Sequence, residues 1–150
     1  MPDIYIDADG CPMKQETYRV AKRYGLKVVL VANSRMRFPG GDSIELVLVD
    51  DGLDAADDWI AEHVTDTDIV ITGDIPLAAR CIKKGAGVLG IRGHPFTEDS
   101  IGEALASREL LSHLREIGAV TGGPPVLCKK DRSRFLESLD NMIQNRLREK

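Results

Sequence analysis

The strongest constraint on this chain is an alternation of short, apolar, β-branched runs with amphipathic stretches of helical length. Ile4-Tyr5-Ile6, residues 27–32 (Lys-Val-Val-Leu-Val-Ala), 44–49, 68–72 and the weaker Val88-Leu89-Gly90-Ile91 read as strands. Between them, residues 13–24 set Tyr18, Val20 and Ala21 among charged neighbours and end at Gly25. Residues 54–64 carry Ala55, Ala56, Trp59, Ile60 and Val64 as an apolar stripe, and the helix entered at Pro76 runs with Leu77, Ala78, Cys81 and Ile82 to Gly85. Strands joined by such helices require crossover connections, and hence a mainly parallel sheet covered on both faces. The expectation is an α/β chain, a three-layer αβα sandwich around about five strands. Two further helices are expected, over 99–117 and 131–148, either side of Thr121-Gly122-Gly123-Pro124-Pro125. No repeat, low-complexity tract or linker divides the 150 residues, so 1–150 is read as a single domain.

Composition narrows the function classes. A chain that is 43% hydrophobic with net charge −4 is not disordered, and no apolar run approaches the length of a membrane span. The start, Met-Pro-Asp-Ile-Tyr, lacks the pattern of a secretory signal, so a cytoplasmic location and no membrane partner are expected. Cys11, Cys81 and Cys128 are scattered and odd in number, which suits free thiols better than a disulfide frame or a zinc site. Charge is uneven: residues 1–74 hold 15 acids and 7 bases, whereas 129–150 hold 4 acids and 7 bases. An acidic first half with a basic tail argues against a general nucleic-acid-coating protein. It leaves room for a carboxylate-rich metal site meeting a polyanion beside a basic rim.

Open parallel sheets bind ligands beyond the carboxyl ends of their strands. Here the first strand ends in Asp7 and Asp9 and the fourth runs into Asp74. Were these strands neighbours, the three acids would share one crevice and repel unless a divalent cation neutralised them, and oxygen ligands suit Mg²⁺ or Mn²⁺. Structural roles compete for the same residues: Asp9 before Gly10 fits an Asx turn, and Asp74 before Ile75-Pro76 fits a helix cap. Asp54, Asp57 and Asp58 suit the first turn of a helix, with Asp57 best placed to face the strand ends. Cys11 near a helix start is a weaker nucleophile candidate without a partnered histidine, and no nucleophile elbow, P-loop or dinucleotide fingerprint is present. Arg92-Gly93, Thr121-Gly122-Gly123-Pro124 and Asp131-Arg132-Ser133-Arg134 suit phosphate-binding corners, with Arg92, Arg132 and Arg134 as candidate contacts.

Asp7-Ala8-Asp9-Gly10-Cys11-Pro12, Val31-Ala32-Asn33-Ser34, residues 52–60 and Thr72-Gly73-Asp74-Ile75-Pro76-Leu77-Ala78 together resemble the pattern of the bacterial YaiI/YqxD family. Arg92-Gly93, Thr121-Gly122-Gly123-Pro124 and Asp131-Arg132-Ser133-Arg134-Phe135 extend that resemblance over nearly the whole chain. The family is grouped with PIN-like domains, metal-dependent nucleases of αβα fold. The resemblance therefore implies a PIN-like domain and a metal-dependent ribonuclease using Mg²⁺ or Mn²⁺ on RNA. It matches Asp7 and Asp74 to the first and last acids of the PIN pattern, and Asp57, with Asp54 as substitute, to the middle one. The usual further acid past the fourth strand is missing from Pro76-Leu77-Ala78, and Asp9 is the candidate to compensate. In this reading Asp7, Asp57 and Asp74 hold metal while Asp9 orients or deprotonates the attacking water.

Asp7-x-Asp9-Gly10 also resembles haloacid-dehalogenase-type phosphatases, in which Asp7 would be the nucleophile, Asp9 the acid/base, Ser34 the second-motif hydroxyl and Asp74 a metal ligand. Against this, Cys11 stands where that motif carries threonine, no second acid follows Asp74 at the expected distance, and no cap insertion is present. A non-catalytic RNA- or protein-binding domain is the third alternative.

Overall fold

The computed structural model describes residues 2–8, 11–38, 43–49, 55–103, 106 and 128–148. In chain order these form β1 (Ile4–Asp7), α1 (Lys14–Tyr24), β2 (Val28–Ala32), β3 (Ile44–Leu48), α2 (Ala55–His63), β4 (Ile69–Ile71), α3 (Ile75–Lys83), β5 (Gly87–Leu89), β6 (Pro95–Phe96), α4 (helical over residues 98–103) and α5 (Lys129–Arg148). The sheet has the order β3-β2-β1-β4-β5-β6. Its first five strands are parallel and β6 is antiparallel to β5.

The strand patterning explains the three layers. Successive side chains point to opposite faces of a strand. On one face Ile4, Ile6, Leu30, Ile69, Ile71 and Leu89 pack against α1 and α5 through Val20, Ala21, Phe135, Leu139 and Ile143. On the other, Tyr5, Val29, Val31, Val70 and Val88 pack against α2 and α3 through Ile60, Val64, Leu77, Ala78 and Cys81. Phe135, Leu139 and Ile143 recur at i, i+4 and i+8 and are fully buried, so α5 is pinned along its length.

The sheet has six strands where about five were expected. The sixth is a two-residue return: the Gly90 N–H donates to the His94 carbonyl at 3.0 Å and the Gly93 N–H to the Gly90 carbonyl at 3.0 Å. A turn at Gly90 also ends β5 at Leu89, before the expected Ile91. Proline at such a strand is tolerated because this is the sheet edge. β4 is shorter than residues 68–72: at its start the Asp68 N–H closes a turn on the Thr65 carbonyl at 3.1 Å, while the Asp68 carboxylate accepts from the Asp3 N–H at 3.0 Å and from the Thr65 N–H at 2.9 Å. α5 begins two residues earlier than expected, where the Asp131 carboxylate reaches back to the Cys128 N–H at 3.0 Å, half of a capping box. The helix expected over 99–117 is described only at its start, and the Thr121–Pro125 break lies outside the described residues. Among the described residues no helix is long and apolar enough to cross a membrane.

Candidate functional site

β1 and β4 lie side by side at the centre of the sheet, with Ile6 opposite Ile71. β2 departs to one side of β1 and β5 to the other side of β4, so the strand order reverses here, the position where such sheets bind ligands. One step beyond the last pair, Asp7 and Thr72 project to the same face, because each follows the parity of Tyr5 and Val70. The Thr72 hydroxyl lies 3.4 Å from Asp7 Oδ2 and accepts from the Asp74 N–H at 3.0 Å. One hydroxyl thus ties together the ends of the two central strands.

Asp74 is the N-cap of α3: its Oδ1 accepts from the Leu77 N–H at 3.0 Å, ahead of Pro76 in the first turn. The cap holds the half-buried carboxylate at the rim, and among the described residues its Oδ2 takes no hydrogen bond. Asp57 is half-buried in the first turn of α2, and its charge acts on Arg80 and Cys81 of α3. Asp9 and Asp54 lie outside the described residues. Among the described residues, no three His, Cys, Asp or Glu side chains gather closely enough to hold a metal ion. The structure therefore brings the Asp7 carboxylate and the Asp74 backbone N–H to one hydroxyl, that of Thr72, and does not gather Asp7, Asp57 and Asp74 into a three-carboxylate cluster.

Burial disfavours the Cys11 thiolate, the form that would act as a nucleophile. Burial pushes its thiol up to about 11, outweighing the stabilisation from the Met13 backbone and Lys14. The helix start nearby fails to offset the loss of solvent.

The candidate arginines separate into two places. Arg92 Nη1 binds Asp131 Oδ2 at 2.9 Å, and Arg134 Nη1 lies 3.4 Å from Asp131 Oδ1. Arg134 Nη1 also stands 3.2 Å from His94 Nε2. A guanidinium only donates, so in that contact His94 accepts through Nε2 and carries its proton on Nδ1. The Cys128 N–H, with Arg92 and Arg134, holds the Asp131 carboxyl below its ordinary range against the opposing effect of burial. Arg132 turns elsewhere, its Nε 3.7 Å from Glu16 Oε1 on α1. Gly93 makes the cluster possible: its φ is +88°, and a Cβ there would sit 2.6 Å from Arg134 C and Phe135 N. The loop after β5 is thereby seated directly on the first turns of α5.

This cluster lies on the same edge as Asp7 and Asp74. The loop after β5 leaves from the carboxyl ends of the parallel strands, and Ile91 covers Gly73, 3.6 Å from where a Cβ would be. α5 runs alongside α1 in the same direction, with Arg132 near Glu16 and Asp140 near Arg23, so its first turn faces that edge too.

Thr72, Asp131 and His94 take part in these two clusters through contacts that the sequence reading did not assign to them. Thr72 was marked by strand parity, and Asp131 by its position three residues into a helix. His94 carried no local signal, because a return strand sets its position.

The family described as "Uncharacterized BCR, YaiI/YqxD family" matches residues 5–145. The chain is 56% identical over 144 residues to a UPF0178 protein of Parvibaculum lavamentivorans, covering 96% of this chain and 95% of that one. It is 54% identical over 143 residues to UPF0178 protein amb2838 of Paramagnetospirillum magneticum, covering 95% of each, and 53% identical over 143 residues to UPF0178 protein Rru_A0086 of Rhodospirillum rubrum, again covering 95% of each. No solved structure matches.

Proposed function

The chain belongs to the YaiI/YqxD family, and from that premise we propose that it is a divalent-metal-dependent phosphodiester hydrolase of PIN-like type acting on RNA. The observation that carries this reading is the junction of Asp7 and Asp74 on the Thr72 hydroxyl at the switch point of the sheet. The donor set fits Mg²⁺ or Mn²⁺: it is all oxygen, and Mg²⁺ typically takes one or two carboxylates and keeps several waters. Asp7 and Asp74 are the proposed holders. Such an ion would polarise a bound water for attack and offset charge on the phosphoryl oxygens. Thr72 fixes the Asp7 carboxylate, and the α3 cap fixes that of Asp74. Asp9, two residues past Asp7, is the proposed group that orients the attacking water and takes its proton.

The test has two readouts. Mn²⁺ should raise the melting temperature, because an ion at about 100 times its Kd stabilises the folded state by roughly 2.7 kcal/mol. Asp7→Asn and Asp74→Asn should remove that rise while leaving the metal-free protein at least as stable. Single-stranded RNA with Mn²⁺ should be cut internally by wild type and not by Asp7→Asn. Rapid turnover of a phosphomonoester, with a beryllofluoride adduct on Asp7 and intact RNA, would establish the phosphatase alternative instead. An identical Mn²⁺ response in wild type and both variants would refute the site.

A further inference from the structure

We propose that Arg35 and Arg37, on the segment that follows β2, hold neighbouring phosphate groups of a single-stranded RNA and lead it into the Asp7–Asp74 crevice. This deepens the hydrolase reading and rests on it for the identity of the polyanion. β2 lies beside β1, with Val31 opposite Asp7, and ends at Ala32. The segment 33–38 therefore leaves from the carboxyl edge of the sheet, the edge that carries Asp7, Thr72 and Asp74. Three residues of chain span at most about 10 Å, which bounds the distance of Arg35 from the end of β2. Burial alternates along the segment. Met36 and Phe38 are partly buried against the core on the α1 face, while Arg35 and Arg37 are exposed. Alternation of this kind places residues two apart on the same side of the chain, about 6.6 Å from one another. That separation matches the step between neighbouring phosphates of an extended strand. With Met36 and Phe38 anchoring the backbone, less freedom is lost when both guanidiniums engage.

An exposed arginine is ordinarily solvated surface. Three observations go beyond that for this pair. Among the described residues neither Arg35 nor Arg37 meets a carboxylate, whereas Arg92 and Arg134 are turned onto Asp131, Arg132 onto Glu16 and Arg80 onto Asp58. Bases are scarce in residues 1–74, seven against 15 acids, yet two of them stand on this short segment with one residue between them. The crevice itself presents like charge. Asp7 and Asp74 repel a phosphodiester backbone, so a strand reaches them only where cations on the same edge offset that repulsion. Arginine suits the task better than lysine, since its planar fork grips two phosphate oxygens at once.

The experiment measures binding of a fluorescein-labelled oligouridylate to the full chain by anisotropy over a range of salt, in EDTA so that hydrolysis is silent. Each phosphate contact on a single strand contributes about 0.7 to the slope of log affinity against log salt. Arg35→Gln and Arg37→Gln should each lower that slope by about 0.7, and so weaken binding roughly fivefold at about 0.1 M salt. The double variant should lose about 1.4 in slope and roughly 25-fold in affinity. Arg35→Lys and Arg37→Lys, which keep the charge, should retain the slope and lose less affinity. Lys83→Gln removes an exposed cation in the last turn of α3 and should change affinity by less than about twofold, because charges beyond a Debye length are screened. All three positions are exposed, so every variant should keep the wild-type Tm. No binding by wild type, or wild-type affinity and slope in the double variant, would overturn the proposal. So would a loss from Lys83→Gln equal to that from either arginine change. Asp7→Asn should bind the oligonucleotide at least as tightly as wild type does. Arginine-dependent binding without cleavage in Mn²⁺ refutes the hydrolase and keeps the two phosphate contacts, whereas cleavage with arginine-independent binding refutes those contacts alone.

Discussion

Replacing Gly93 by alanine tests whether the loop after β5 is seated on α5 as tightly as the structure shows. The new Cβ would lie 2.6 Å from Arg134 C and Phe135 N and 2.8 Å from Phe135 Cα. All three are backbone atoms of a helix, so no rotamer change relieves the contact, and the loop or α5 must shift. An alanine at φ +88° costs about 1–2 kcal/mol, and overpacking against a buried element adds about 1–3 kcal/mol. We expect a total near 3 kcal/mol, or a fall in Tm of roughly 6–12 °C for a chain of this size. Gly25→Ala is the internal control: its φ is +67° with nothing within 4 Å of the added Cβ, so only the conformational cost of about 1–2 kcal/mol applies. Urea unfolding followed by far-UV circular dichroism and by the fluorescence of the single tryptophan, Trp59, gives both values. Equal losses in the two variants, or a Gly93→Ala loss below about 0.5 kcal/mol, would refute the close approach.

The other expectations are simpler. Asp74→Ala should destabilise the metal-free protein by about 1 kcal/mol through loss of the α3 cap, while Asp74→Asn, itself a good cap, should stay within a few tenths, both by urea titration. Asp131 and Asp140 are held below their ordinary range, the first mainly by the Cys128 backbone and the second by the Tyr24 hydroxyl, Gln144 and Arg23. A carboxyl depressed in the folded state stabilises above its unfolded value, near 3.9, and that stabilisation is lost as pH falls through the lower folded value. Tm should therefore show no dependence on these groups between about pH 5 and 8 and should drop below about pH 4, with Asp140→Asn losing part of that drop. A thiol reagent at neutral pH should modify exposed Cys128 quickly. Buried Cys11 and Cys81, each pushed up to about 11, should react only on unfolding.

The layers were legible because each strand carries its own parity. Ile4, Tyr5 and Ile6 alternate between the two cores, and the run at 28–32 is apolar on both faces as a covered parallel strand must be. The adjacency of β1 and β4 followed from topology rather than from any local signal. Boundaries failed where a turn reaches into the apolar run, as at Asp68, whose N–H goes to the Thr65 carbonyl. β6 was illegible because a proline and a phenylalanine have no strand period, and only the turn through Gly90 and Gly93 places them. At the site, the capping role of Asp74 was visible in Asp-Ile-Pro, but its coupling to Asp7 needed Thr72 from the neighbouring strand. The three arginines looked alike in sequence. Helical geometry separates them, since Arg132 is one residue past Asp131 and faces α1, whereas Arg134, a turn further on, returns to Asp131.

The pairing of β1 with β4 also governs when the crevice comes into being. Asp7 and Thr72 are 65 residues apart, and the chain between them must build α1, β2, β3 and α2 before the two strands meet. Closing so long a loop costs entropy that the core contacts must repay. A nascent chain that has emerged only as far as α2 holds Asp7 without Thr72 or Asp74. A chain that stops before β4 therefore carries only the β1 half of the crevice.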